Sequence, residues 1–124
     1  MAEEMNFAEA IERLEIWVSL THANFIEGID KLAREMMAFA AGELRMQCPA
    51  SLPAQFRLDT EMEPYGQYVP DIKVVVLKQW DGSPQHQGVL AHEIAHYVQA
   101  FNDLPFCEEQ AYRVQRAWLQ REAV

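Results

Sequence analysis

Residues 92–96 read His-Glu-Ile-Ala-His, inside a run from Gln87 to Phe101 where Val89, Leu90, Ile94, Ala95, Val98 and Phe101 recur at helical spacing. On a helix, side chains four residues apart lie on one face, so His92 and His96 present two imidazoles close enough to share one ion. Glu93 is rotated by about 100° from His92. Its carboxylate therefore falls beside such an ion, where a general base must sit to deprotonate a metal-activated water. Ordinary residue frequencies produce this pentad in about one chain of this length in a few hundred. Two polar residues on an amphipathic helix would be the plain alternative. The pentad constrains the fold in two ways: its helix must bury an apolar face, and a second element must pack opposite to complete a ligand set.

A catalytic zinc takes three protein ligands and keeps one position open. After a break at Asn102 to Phe106, which contains Pro105, helical spacing resumes through Ala111, Val114, Gln115 and Trp118. Glu108 and Glu109 open that helix, and either could supply the third ligand. An acidic residue in a first turn is favoured by the helix dipole without any metal, which accounts for one of the pair. Two imidazoles and a carboxylate suit Zn²⁺, although other divalent ions fit such a set.

The remaining chain is short. Its 124 residues allow one domain, and 50% hydrophobic against 23% charged residues describe a globular chain. With 19 acidic and 10 basic residues the net charge is -9, which disfavours a phosphate-binding nucleic-acid partner. Cys48 and Cys107 could form one disulfide at most. Met1 leads into a Glu-rich stretch without a secretory pattern, and no apolar run approaches a membrane span, so the expectation is a cytoplasmic protein.

Two N-terminal helices are expected. Phe7, Ala10, Ile11, Leu14, Trp17 and Val18 mark the first; Phe25, Ile29, Leu32, Met36, Phe39, Ala40 and Leu44 mark the second, over Phe25 to Met46. Asn24 and Glu27 form a candidate capping box between them, with Gly28 a weak point, and one long bent helix is the competing reading. Pro49 to Pro53 ends the helical part. Phe56 to Asp59, Gln67 to Val69 and the β-branched Ile72 to Leu77 read as two or three short strands, antiparallel or mixed, separated by turns at Pro64, Gly66 and Pro70–Asp71. The fold class is α+β, as a single domain over 1–124: a helical part over 1–47, then a sheet with two metal-site helices over 55–121.

His-Glu-x-x-His followed on a second helix by Glu-x-x-Ala, here Glu108 to Ala111, resembles the gluzincin zinc metallopeptidases. The minimal ones called minigluzincins and the ImmA/IrrE-type catalytic domains are the nearest in scale. That resemblance covers roughly residues 55–121 and implies a zincin-like fold. It implies that His92, His96 and Glu108 hold zinc, with Glu93 as general base. It further implies that a peptide or protein substrate lies extended along the last strand before the metal helix, Ile72 to Leu77. These families usually carry an Asp or Asn one turn after the ligand Glu, supporting a ligating histidine; here that position is Tyr112.

An oxyanion donor would come from Tyr112, Arg113, Tyr97, Tyr68 or His86, and spacing singles out none. His86, in the loop entering the metal helix, could instead be an exposed loop residue; His22 reads as structural, and Cys107 as packing beside Glu108. The functional expectation is a zinc metalloendopeptidase, active or latent. Its rival is a catalytically weak or inactive zincin-fold protein that binds a partner through the N-terminal helices. The Phe25, Ile29, Leu32 and Met36 stripe could form a homodimer or complete the core.

Overall fold

A computed structural model describes residues 24–26 and 28–122, so the expected helix over Phe7 to Leu20, and His22 with it, lies outside the described residues. The elements run β1 (Asn24–Phe25), α1 (Asp30–Leu44), β2 (Gln55–Leu58), β3 (Gly66–Val69), β4 (Val74–Leu77), α2 (Pro84–Phe101) and α3 (Glu108–Glu122). Among the described residues the fold is α+β, as the patterning implies, with three helices and a mixed sheet of three four-residue strands plus the two-residue β1.

Helix α1 begins five residues later than its periodicity suggests. Gly28 has φ 73, a left-handed conformation that interrupts a right-handed helix. Phe25 accordingly pairs with Arg57 in the sheet rather than joining the helix, and Asn24 is no helix cap. From Asp30 onward Ala33, Met36, Met37, Ala40, Ala41 and Leu44 form one buried face. Ile29 and Met36 are buried and Leu32 packs partly against the same core, so these three members of the expected stripe face inward. The helix stops at Arg45 in the left-handed region, where the Met46 N–H donates to Ala41 O at 2.9 Å.

The strand order is β1-β2-β4-β3. β2 and β4 are parallel, while β3 and β4 form an antiparallel hairpin in which Val69 opposes Val74. Lys73 closes that hairpin at φ 55, which ends the extended run; the Ile72 expected to open β4 is instead an exposed turn residue. β4 has neighbours on both sides and all four of its residues are buried. It therefore offers no free edge for an added strand, contrary to the expectation for Ile72 to Leu77. The outer strand on that side, among the described residues, is β3.

Helix α2 lies at the centre. Ser83 caps it, accepting from the His86 N–H at 3.5 Å, and Pro84 fills the first turn where no N–H is needed. Leu90, Ala91, Ile94, Ala95 and Val98 are fully buried between the sheet, α1 and α3. Helix α3 returns alongside α2 with Ala111, Val114 and Trp118 turned inward. Gly88 permits the close approach: a Cβ there would meet Leu119 at 3.2 Å. Among the described residues no helix is long and apolar enough to cross a membrane.

Candidate metal centre

His92 and His96 stand one turn apart on α2, their rings edge to face with centroids 4.9 Å apart. A ligand atom from each of His92, Glu93 and His96 lies within 4.8 Å of the others. Glu108, the first residue of α3, reaches in from the facing helix. Its Oε1 is 2.7 Å from His96 Nε2 and its Oε2 3.1 Å from His92 Nε2. Among the described residues it is Glu108, and not Glu109, whose carboxylate reaches both imidazoles.

The outer ring nitrogens are engaged as well. His92 Nδ1 lies 3.0 Å from Gln115 Oε1, and His96 Nδ1 lies 2.9 Å from Gln99 Oε1. A metal-ligating imidazole ordinarily has its second nitrogen held in this way, which fixes ring orientation. The residue supporting His92 is thus Gln115, one turn beyond the expected position. Tyr112 occupies that position but contributes its ring, edge-on to His92 at 4.5 Å, and stays half-exposed. Phe106 stacks on His96 at 4.6 Å and leans on Tyr68, making an apolar wall on the other flank.

Glu93 is buried, with 5% of its surface exposed. Burial, and then the neighbouring Glu108 carboxylate, push its carboxyl from 4.5 up to about 8 in the metal-free protein. Burial and then the His96 ring push His92 below its usual value, with Glu108 and Gln115 opposing. Gly66 brings the start of β3 directly against this carboxylate. A Cβ at that position would come within 2.8 Å of Val89 Cγ1 and 3.0 Å of Glu93 Cγ.

These groups open onto a cleft of about 350 Å³ lined by Pro64, Tyr65, Gly66, Val89, His92, Glu93, Glu108, Tyr112 and Gln115. Of the expected oxyanion donors, only Tyr112 lines it. Arg113 donates to Glu43 O at 2.7 Å, and the Tyr97 hydroxyl donates to Ser51 O at 2.6 Å. Tyr68 is buried beside Tyr97, and burial pushes its hydroxyl up to about 12. His86 pairs with Asp81 at 2.8 Å and faces an adjoining hollow of about 270 Å³. Cys107 takes part through its backbone, held by Gln99.

Sequence reasoning missed Gln99, Gln115, Gly66, Tyr65 and Phe106. The two glutamines carried a usable signal: Gln99 is one turn after His96, and Gln115 two turns after Glu108, so each shares a face with a ligand residue. Gly66 and Tyr65 reach the site through tertiary packing alone. No protein-family model, curated protein or solved structure matches the chain.

Proposed function

We propose that this chain is a small zinc-dependent peptidase of the gluzincin type. The observation that carries the reading is the meeting of two Nε2 atoms and the Glu108 carboxylate, with both Nδ1 atoms already at carboxamide oxygens. With the outer nitrogens protonated, those Nε2 atoms and carboxylate oxygens turn lone pairs toward one another; a proton on each Nε2 would satisfy them as an ion pair, and one metal cation would satisfy all three at once. The donor set, two neutral imidazoles and one carboxylate, is the one that Zn²⁺ accepts in hydrolytic sites.

His92, His96 and Glu108 would hold the ion. A bound Zn²⁺ would supply Lewis acidity toward water and a carbonyl oxygen. Glu93 takes the proton from the attacking water and delivers it to the departing amine, a task suited to a carboxyl held at the cleft floor by burial. Tyr112 lines the cleft, and its hydroxyl is the candidate donor to the developing oxyanion. An extended peptide would add to the outer edge of β3, whose first residue lines the cleft.

The test combines metal content with hydrolysis of a denatured protein. Wild type should carry one zinc per chain and His92→Ala essentially none. Glu93→Gln should keep the metal and lose hydrolysis by a factor of about 100 or more. If Glu93→Gln keeps biological function while deletion of residues 1–20 destroys it, the partner-binding reading replaces this one; if wild type takes up no metal, the peptidase reading falls.

A further inference from the structure

We propose that Gln99 is a positioning residue of this site: its single carboxamide fixes which nitrogen of His96 carries the proton and holds the start of α3 where Glu108 reaches the imidazoles. This rests on the metal-site reading above, but its first consequence is measurable without any metal.

Gln99 has no exposed surface and sits at the last turn of α2, three residues after His96. Its Oε1 accepts the Cys107 backbone N–H at 3.1 Å, while its Nε2 donates to the Cys107 carbonyl at 3.0 Å and to Gln110 Oε1 at 3.1 Å. A backbone N–H can only donate and a carbonyl can only accept, so the two ends of this amide cannot be exchanged. The Oε1 that faces His96 Nδ1 at 2.9 Å is therefore an acceptor, and Nδ1 must bear a hydrogen. What remains at Nε2, toward Glu108, is the position for a metal. A free neutral imidazole has no such obligation. Here the backbone of the α2–α3 connection dictates it.

The same amide joins three pieces of chain. His96 belongs to α2, Cys107 ends the connection, and Gln110 lies in the first turn of α3, with Glu108 between the last two. A side chain that holds Cys107 by both its N–H and its carbonyl fixes the residue directly before the third ligand. One ligand's proton and another's backbone are thus set by one group, and the spacing of the ligand triad is decided before a metal arrives. This is preorganisation of the kind that lowers the cost of binding.

The experiment compares Gln99→Met, Gln99→Glu and Asn102→Ala with wild type. Met keeps the length but removes donor and acceptor. Glu keeps an oxygen for His96 Nδ1–H and the Cys107 N–H but no longer donates. Asn102 bridges Gln47 to Val98 in the adjoining turn and touches neither imidazole, so it reports simple loosening. In metal-free protein at alkaline pH, nitrogen NMR of His96 should show Nδ1–H in wild type, Gln99→Glu and Asn102→Ala, and a shift toward Nε2–H in Gln99→Met. Zinc affinity should fall about 10- to 100-fold in Gln99→Met, less in Gln99→Glu, and little in Asn102→Ala.

The proposal is overturned if wild-type His96 carries its proton on Nε2, or if Gln99→Met leaves both tautomer and affinity unchanged. It is equally overturned if Asn102→Ala weakens zinc as much as Gln99→Met does. Should Gln99→Met fail to fold, Gln99→Glu decides: retained Nδ1–H supports the proposal and its loss ends it. A wild type that shows Nδ1–H yet binds no zinc would defeat the metal reading while leaving the tautomer assignment standing.

Discussion

Glu93 occupies a position that is costly to the metal-free protein. The unfolded chain releases this proton near 4.5 and the folded chain near 8, so between those values the folded state holds the extra proton. Stability is then fully present below the lower value and declines as pH rises through the window. Between pH 6 and 8 the loss from this one group is about 2 kcal/mol. Glu93→Gln removes the ionisation and keeps the shape. Thermal unfolding of chelator-treated protein should therefore show the variant gaining on wild type by about that amount from pH 6 to pH 8. The depressed His92 acts in the opposite direction as pH falls, but it is common to both proteins and leaves the difference intact. A pH-independent difference would mean that Glu93 is ionised in the folded chain throughout. A carboxylate kept in such a position is understandable if it is used, because an acid buried only for packing would be replaced by a neutral residue of the same size.

The approach of β3 to α2 holds Glu93 from the sheet side, and Gly66 makes that approach possible. Gly66→Ala would place a methyl group 2.8 Å from Val89 Cγ1 and 3.0 Å from Glu93 Cγ. Relief must come from the Val89 or Glu93 side chain, both on α2, or from β3 itself. The expected result is a loss of about 1–3 kcal/mol on denaturant unfolding. Hydrolysis should fall further than stability explains, with zinc content unchanged. This contact also marks where sequence reasoning stops. Helices α2 and α3 are legible because their apolar residues repeat with the helical period and Glu108 opens the second of them. The later start of α1 depends on Gly28 adopting φ 73, and the later start of β4 on Lys73 adopting φ 55. Periodicity records neither backbone choice. Which strand occupies the sheet's edge depends on the parallel pairing of β2 with β4, between residues far apart in sequence. That is why the strand expected to pair with substrate is interior and β3 lies at the edge. The proposed ligands are legible because their spacing is local; the glutamines behind them also have helical spacing, but a glutamine on a helix face has no distinguishing chemistry until its partner is known.

At the scale of the molecule, the proposed ligand set joins two helices that at this end are otherwise held by apolar packing and by the hydrogen bonds of Gln99 and Gln115. His92 and His96 come from α2 and Glu108 from α3, and the connection between them, Asn102 to Cys107, exposes Leu104 and Phe106. In the metal-free protein the three donors meet without a cation, so zinc should add most to the stability of this end of the α2–α3 pair. A metal that binds the folded arrangement and not the unfolded chain stabilises by mass action, about 4 kcal/mol when free zinc exceeds its dissociation constant a thousandfold. For a domain of this size that is a rise of roughly 10–20 °C in Tm. Wild type should therefore unfold at a temperature that climbs with zinc concentration and drops on chelation, and amide hydrogens in the first turn of α3 should gain protection on zinc addition. Glu108→Gln should lose most of the increment, because a carboxamide is a far weaker ligand, and His92→Ala nearly all of it. The comparison separates a metal site from an ion-paired helix contact. If Glu108 only pairs with protonated histidines, acidification should restore what chelation removes; if it is a ligand, acidification should mimic chelation, since protons and zinc compete for the same Nε2 atoms.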